Sequence, residues 1–220
     1  IFPYISQGIL DVASPTVVKN RISSIPKDAI DPIDFAVTFD HETEEKIMTI
    51  RLTLEGQHEP HTLYCDGSFI NQGKVSARMG FAVVYENLDG TYPLATLGTA
   101  EGYASSNRAE IVGLLAAILC CPRNHTAGIY TDSTSVLHGF SALVQSQATK
   151  QKLLRSPNAD WWGVIQKAYA QQGERATIHW VHAHSGVAGN MAADSWASKA
   201  HTAGLTAWQI NKHRHNATST

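Results

Sequence analysis

The sequence predicts an α/β fold: a mixed five-stranded sheet, three antiparallel strands and then parallel crossovers, flanked by helices. Three observations predict it. Beyond residue 60 the apolar pattern runs as three successive strand-like segments, the signature of an antiparallel meander. Strand-like segments then alternate with helix-length ones, which implies parallel pairing by crossover. The composition is that of a core-forming chain, 43% hydrophobic and 16% charged over 220 residues, enough for one medium domain with an appendage.

Taken in order, residues 1–60 read as an N-terminal extension. Its first thirty residues hold no helix or strand period and are punctuated by Pro3, Pro15 and Pro26, with Pro32 following, so they read as a linker or arm. Phe35, Val37 and Phe39 then share one face, and Met48, Ile50, Leu52 and Leu54 alternate with Thr49, Arg51 and Thr53. Two alternating runs across the polar stretch 40–46 predict a β-hairpin at a sheet edge. His58-Glu59-Pro60 marks a boundary, and residues 61–203 form the main domain. Within it, strands are expected at residues 62–66, 79–86 and 92–99, the last after the Asp89-Gly90 turn. A long apolar helix over 108–121 stops at Pro122. A strand over 127–132 leads to a helix from about Ser133. A helix over 160–171 stops at Gly173, a strand covers 176–182, and a last helix over 190–203 stops at Gly204. Residues 204–220 read as a frayed tail.

The cysteines are Cys65, Cys120 and Cys121. An odd count without a C-x-x-C pair argues against a disulfide framework and points to a reducing, intracellular compartment, with nucleus and cytoplasm not resolved. Cys120-Cys121 reads as buried helix packing. No apolar run is long enough for a membrane span, and no signal-peptide pattern opens the chain. A chain opening at Ile1 without Met is expected to be an excerpt of a longer polypeptide. Net charge is −2, but residues 1–60 hold ten acidic and five basic side chains, and residues 61–203 nine and ten. If four of those nine acids hold metal, the remaining surface of that domain is basic enough to accept phosphates.

Four acids occupy special places. Asp66 closes the first strand before Gly67-Ser68, Glu110 opens the long helix, Asp132 closes the fourth strand before Ser133, and Asp194 follows the loop that contains His184 and Gly186. Strand ends where helices begin are ligand sites in open α/β sheets. Gathered carboxylates repel unless a cation neutralises them. Mg²⁺ takes hard oxygen ligands, and two ions about 3.5–4 Å apart can activate a water against a phosphodiester. Each residue also has an ordinary reading. Asp66 before glycine can start a turn; Glu110 three residues after Asn107 fits a capping box; Asp132-Ser133 fits an N-cap. Asp194 can be a solvated helix acid and His184 a surface loop residue. Zinc at His179, His182 and His184 lacks a suitably spaced fourth ligand.

The segments Tyr64-Cys-Asp-Gly-Ser68, Ser106-Asn-Arg-Ala-Glu110, Tyr130-Thr-Asp-Ser133 and His184-Ser-Gly186, leading through Asn190 to Ala193-Asp194, resemble the type 1 ribonuclease H family over residues 61–203. The resemblance implies a ribonuclease H-like fold and endonucleolytic hydrolysis of the RNA strand of RNA–DNA hybrids, leaving 5′-phosphate products. It implies two Mg²⁺ ions, with Mn²⁺ able to substitute. Asp66, Glu110, Asp132 and Asp194 would be the metal ligands, Asp66 touching both ions. His184 would assist leaving-group or product departure from a mobile loop. Gly67, Ser68, Ser106, Asn107 and Ser133 match substrate-side positions, where side-chain amides and backbone groups can sense the RNA 2′-OH, and Asn190 matches a structural or substrate-side one. Trp162 and Trp180 are assigned to the core.

The helix after Asp132 departs from cellular members of the family, which often carry a basic, Trp-containing protrusion there. Residues 141–162 carry only Lys150, Lys152 and Arg155 as cations. The isolated domain, expected to be monomeric, would then grip hybrid poorly without a neighbouring domain. His182 stands where relatives often have Lys, so a pH-sensitive phosphate contact is one reading. The pieces Cys121-Pro-Arg-Asn, Ile129-Tyr-Thr-Asp and Leu154-Arg-Ser-Pro-Asn resemble ribonuclease H domains of retrotransposon reverse transcriptases, fungal ones especially. That implies a covalently linked reverse transcriptase domain. The alternative is a non-catalytic module of the same fold that binds hybrid or scaffolds an assembly; the intact acids and His184 count against it.

Overall fold

A computed structural model describes residues 37–38, 40–57, 60–145 and 151–210. The elements in chain order are β1 (Val37–Thr38), α1 (His41–Glu55), β2 (His61–Ile70), β3 (Arg78–Glu86), β4 (Leu94–Ala100), α2 (Ser106–Cys120), β5 (Ala127–Thr131), α3 (Thr134–Val144), α4 (Ala159–Gln171), β6 (Ala176–Trp180), α5 (Ala188–Lys199), a 3₁₀ turn Ala200–Thr202 and β7 (Ala207–Ile210). The sheet order is β1-β7-β4-β3-β2-β5-β6. Strands β2, β3 and β4 pair antiparallel, whereas β2, β5 and β6 pair parallel. The five expected strands thus form one contiguous block of a larger sheet, with β6 at its edge. Two short strands extend it beyond β4, with β7 parallel to β4 and β1 antiparallel to β7.

Side chains alternate across the sheet because successive Cβ atoms of a strand point to opposite faces. Met79, Phe81, Val83 and Tyr85 of β3 enter the main core with α1, α2 and α4. Their neighbours Ala82 and Val84 meet Ala193 and Ala197 of α5 on the other face. Helix α2 is buried almost all round from Arg108 to Cys120 and crosses β2 where a glycine of each element meets the backbone of the other. A Cβ on Gly67 would lie 2.2 Å from the Glu110 nitrogen, and one on Gly113 would lie 2.9 Å from the Asp66 carbonyl oxygen. Only glycine permits backbones to approach this closely.

The hairpin expected over 35–54 is overturned. Residues 41–55 form helix α1, and among the described residues of that stretch only Val37 and Thr38 form a strand; Phe35 and Phe39 lie outside the described residues. The buried positions of α1 are Thr43, Ile47, Ile50, Arg51 and Leu54, a 3.6-residue period. The even-numbered apolar run was a coincidence of that period, because Met48 and Leu52 sit on the flanks of the apolar stripe. Asp40 caps the helix, accepting from the Thr43 backbone N–H at 3.0 Å. The Thr49 and Thr53 hydroxyls donate to carbonyls four residues back, each at 2.8 Å. That bond is a helical option for threonine in a segment that otherwise favours strand.

The frayed tail is likewise corrected for residues 207–210. Strand β7 occupies the free edge of β4 and buries Trp208 completely, its ring 4.5 Å from that of Phe81. The other Asp40 carboxylate oxygen accepts from the Thr206 N–H at 3.0 Å, so one residue anchors both the start of α1 and the entry to β7. The expected arm at residues 1–30 and the tail beyond Ile210 lie outside the described residues. No helix among the described residues is long and apolar enough to cross a membrane.

Candidate active site

Strand register brings two of the acids together. The parallel β2–β5 pairing runs to Tyr64 opposite Tyr130, so Asp66 and Asp132 each stand two residues past the last pair, on adjacent strands. Asp66 does not close its strand as expected: β2 continues to Ile70, paired with β3 alone. The third acid comes from α2. Ser105 caps that helix, accepting from the Arg108 N–H at 3.2 Å. The capping box with Asn107 is therefore absent, and Glu110 sits just past the first turn with its carboxylate free to face β2. It accepts the Gly67 N–H at 3.1 Å, a bond the missing Gly67 side chain makes room for. Arg108, nearly buried, fixes the same end of α2 to α4 by an ion pair with Asp160.

One carboxylate oxygen from each of Asp66, Glu110 and Asp132 lies within 4.8 Å of the others. Asp66 is 6% exposed. Burial, then the charges of Asp132 and Asp194, pushes Asp66 up to about 7. Burial, then Asp66 and Asp132, pushes Glu110 up to about 9. Among the described residues no Lys or Arg pairs with any of the three. Three gathered oxygen donors whose charges oppose one another, with no protein cation to offset them, fit a hard divalent ion.

Asp132 is held at both ends. Its carboxylate accepts from Asn190 Nδ2 at 2.9 Å, and its backbone carbonyl accepts from Trp180 Nε1 at 3.1 Å. Ser133, not Asp132, caps α3, which leaves the acid's carboxylate to the cluster. Asp194, exposed on α5, is not one of the three gathered acids, though its charge reaches Asp66. His184 is exposed in the loop between β6 and α5 with φ of +54°, and the structure does not place it in the acid group.

The expected substrate-side residues separate into two kinds. Ser106 and Asn107 are exposed at the start of α2, with Asn107 Oδ1 accepting from the Ser135 hydroxyl at 2.6 Å. Beside them opens a groove of about 1300 Å³ lined by Asn107, Ser135, His138, Lys152, Arg155 and Trp162 among others. The rest are engaged with other groups of the protein. The Gly67 N–H serves Glu110, Ser68 Oγ lies 3.0 Å from His201 Nε2, Ser133 caps a helix, and Asn190 is 4% exposed against Asp132.

Trp180 corrects another expectation: it is 46% exposed and not a core residue, whereas Trp162 is buried. Sequence reasoning missed its bond to Asp132, and missed Ser135. Edge strand β6 is exposed at three of its five positions, so no alternation marks which of its side chains does work. His179 stacks on Tyr130 at 4.9 Å, and His179 Nε2 lies 2.9 Å from Thr177 Oγ1. Among the described residues the acids alone form a metal-compatible group.

The family model that matches is described as RNase H and covers residues 58–202. The Ribonuclease H of Cupriavidus metallidurans is 32% identical over 106 residues, 45% of this chain and 70% of the relative. That of Mycolicibacterium gilvum is 33% identical over 109 residues, 46% of this chain and 69% of the relative. Among solved structures, a foamy viral protease-reverse transcriptase in complex with dsDNA is similar in fold, with a TM-score of 0.51 at 19% identity. That match covers 64% of this chain and 92% of the other. The same kind of protein in complex with an RNA/DNA hybrid matches with a TM-score of 0.51 at 18% identity, over 66% of this chain and 21% of the other.

Proposed function

The chain belongs to the RNase H family, whose model spans residues 58–202, and from that premise we propose that it is a ribonuclease H that hydrolyses the RNA strand of RNA–DNA hybrids. The observation that carries the proposal is the gathering of Asp66, Glu110 and Asp132 from two strands and a helix into one group. By family resemblance these three and Asp194 would hold two divalent ions, Mg²⁺ with Mn²⁺ able to substitute. Such ions, when bound, activate water and offset charge on the reacting phosphate.

The chain's own residues do the rest. Asp66, Glu110 and Asp132 supply the fixed negative site, and Asn190 and Trp180 brace one of its members. Ser106 and Asn107 are exposed beside the groove, where they can meet the minor groove of a hybrid and sense the 2′-OH. Lys152 and Arg155 line the same groove and can take backbone phosphates. His184, exposed on its loop, is suited to assist the leaving group or product departure. The products are a 5′-phosphate and a 3′-OH.

We infer further that the domain works within a retroelement reverse transcriptase. What supports this is the sequence resemblance of Cys121-Pro-Arg-Asn, Ile129-Tyr-Thr-Asp and Leu154-Arg-Ser-Pro-Asn. The sparse cations after Asp132 would then be compensated by a linked domain that holds the hybrid.

The test is cleavage of end-labelled RNA–DNA hybrid, with RNA–RNA and DNA–DNA duplexes alongside, in Mg²⁺ and in EDTA. Metal-dependent cutting of the hybrid's RNA strand alone, lost in Asp132→Asn, is the expected result. Binding of hybrid without cutting would replace the proposal with a non-catalytic binding module. Cutting that survives Asp132→Asn would remove the acid cluster from the mechanism.

A further inference from the structure

We propose that Asn190 and Trp180 are positioning residues that set the orientation of Asp132 from opposite ends. The proposal rests on the reading of Asp132 as a metal ligand. A carboxylate at the tip of a strand can rotate about its own side-chain bonds, and its backbone can shift where the strand passes into the α3 cap. Both freedoms are removed here by side chains from elsewhere in the chain. Asn190, in the first turn of α5, donates Nδ2 to the Asp132 carboxylate at 2.9 Å. Trp180, the last residue of β6, donates Nε1 to the Asp132 carbonyl at 3.1 Å.

The amide orientation of Asn190 follows from chemistry. The NH₂ is the amide's donor, and it is the group that faces the Asp132 carboxylate oxygen. The remaining Oδ1 is buried with no hydrogen-bond partner among the described residues, on a residue only 4% exposed. A buried acceptor left in this state has a cost, so this amide is not accounted for by packing alone. It faces the acid with its donor. Trp180 is as informative in the opposite way. It is 46% exposed, more than an indole kept for core packing would be, yet its single polar atom is spent on the backbone of the acid.

The clamp also joins the acid to the element that carries Asp194. Asn190 and Asp194 are four residues apart on α5, one helical turn, so the helix that presents the fourth acid also braces the third. Outer contacts of this kind fix the geometry of metal-ligating side chains.

The experiment compares wild type, Trp180→Phe, Asn190→Ala, Asn190→Asp and Asp132→Asn. Four quantities are read: Mn²⁺ affinity by calorimetry without nucleic acid, melting temperature, and kcat and KM for hybrid. Trp180→Phe keeps the ring and removes the N–H; Asn190→Asp keeps the shape and replaces the donor with a second carboxylate. We expect Trp180→Phe and Asn190→Ala each to lose about 10–100-fold in Mn²⁺ affinity or kcat, with KM unchanged. Asn190→Asp should be worse than Asn190→Ala, an order that a packing role would reverse.

Wild-type Mn²⁺ affinity and kcat in Trp180→Phe would overturn the clamp, and so would Asn190→Asp matching wild type. Loss confined to KM would overturn it in favour of substrate contact. If the Asn190 variants fail to fold, Trp180→Phe, at a half-exposed site, still decides. Asp132→Asn separates the two levels. If that variant binds Mn²⁺ and cleaves like wild type, the reading of the acid itself fails. If it loses both while the clamp variants keep both, only the clamp fails.

Discussion

Asp66 and Asp132 owe their meeting to register, each two residues past the Tyr64–Tyr130 pair, and Glu110 owes its place to a missing side chain at Gly67. Adding one methyl tests that dependence. A Cβ on Gly67 would fall 2.2–2.6 Å from the backbone of Ala109 and Glu110, so helix α2 must move. Gly67→Ala should cost about 1–3 kcal/mol of stability and lose metal affinity more than its melting temperature alone would explain. Urea unfolding and Mn²⁺ titration check both. A second prediction comes from the raised carboxyls. Asp66 stands at about 7 and Glu110 at about 9, above the value of about 4 for unfolded carboxyls. Between those limits the folded metal-free protein binds more protons than the unfolded chain, so its stability falls as pH rises. Unfolding in EDTA should therefore show lower stability at about pH 8 than at about pH 5.5, with the difference reduced in Glu110→Gln. Mg²⁺ should stabilise more at the higher pH, because it replaces protons on the same oxygens. A flat stability profile in EDTA would contradict the electrostatics described for the site.

At the scale of elements, α1 shows how two periods can be confused. Four apolar residues on even numbers satisfy a strand, but Ile47 and Arg51 complete a helical stripe that the alternation ignored. Arg51 was read as an outward-facing strand residue and is 4% exposed. Its Nε donates to the Leu119 carbonyl at 2.9 Å, placing a cation at the C-terminus of α2 where the helix dipole favours it. Arg51→Met keeps most of the volume and deletes the bond. It should cost about 1.5–3 kcal/mol, the range for hydrogen bonds to charged groups, while cleavage by the folded fraction persists because Glu110 lies at the other end of α2. Equilibrium denaturation, with cleavage assayed on the folded protein, measures the two effects separately. Unchanged stability would mean that the carbonyl is served equally well without the guanidinium.

At the scale of the whole molecule, the boundaries placed at residues 60 and 203 cut through one packed unit. Ile47, Ile50 and Leu54 of α1 and Trp208 of β7 belong to the same core as α2 and β3. Trp208→Ala empties a fully buried site against Phe81 and should cost about 3–5 kcal/mol, read as a drop in the urea midpoint with no change of slope. A loss within experimental error would mean that β7 is dispensable and the tail reading correct. The central sheet was legible because its strands and helices are long and end at Pro122, Gly173 and Gly204. Strand β7 was not, because four residues carry too little pattern and gain their order only from the open edge of β4.

The sequence by itself determined the order of strands and helices from β2 to α5 and the family, and it named Asp66, Glu110 and Asp132, the acids that meet, among its candidates. Each of these is written in residue type and spacing along the chain, where periodicity and local context suffice. Tertiary structure decided which acids meet, that Asn190 and Trp180 donate to Asp132, that Glu110 accepts from Gly67, and that α1 and β7 join the core. Those outcomes depend on strand register, on backbone approach at Gly67 and Gly113, and on unfilled sheet edges. They are distances between residues far apart in the chain, which no local pattern encodes.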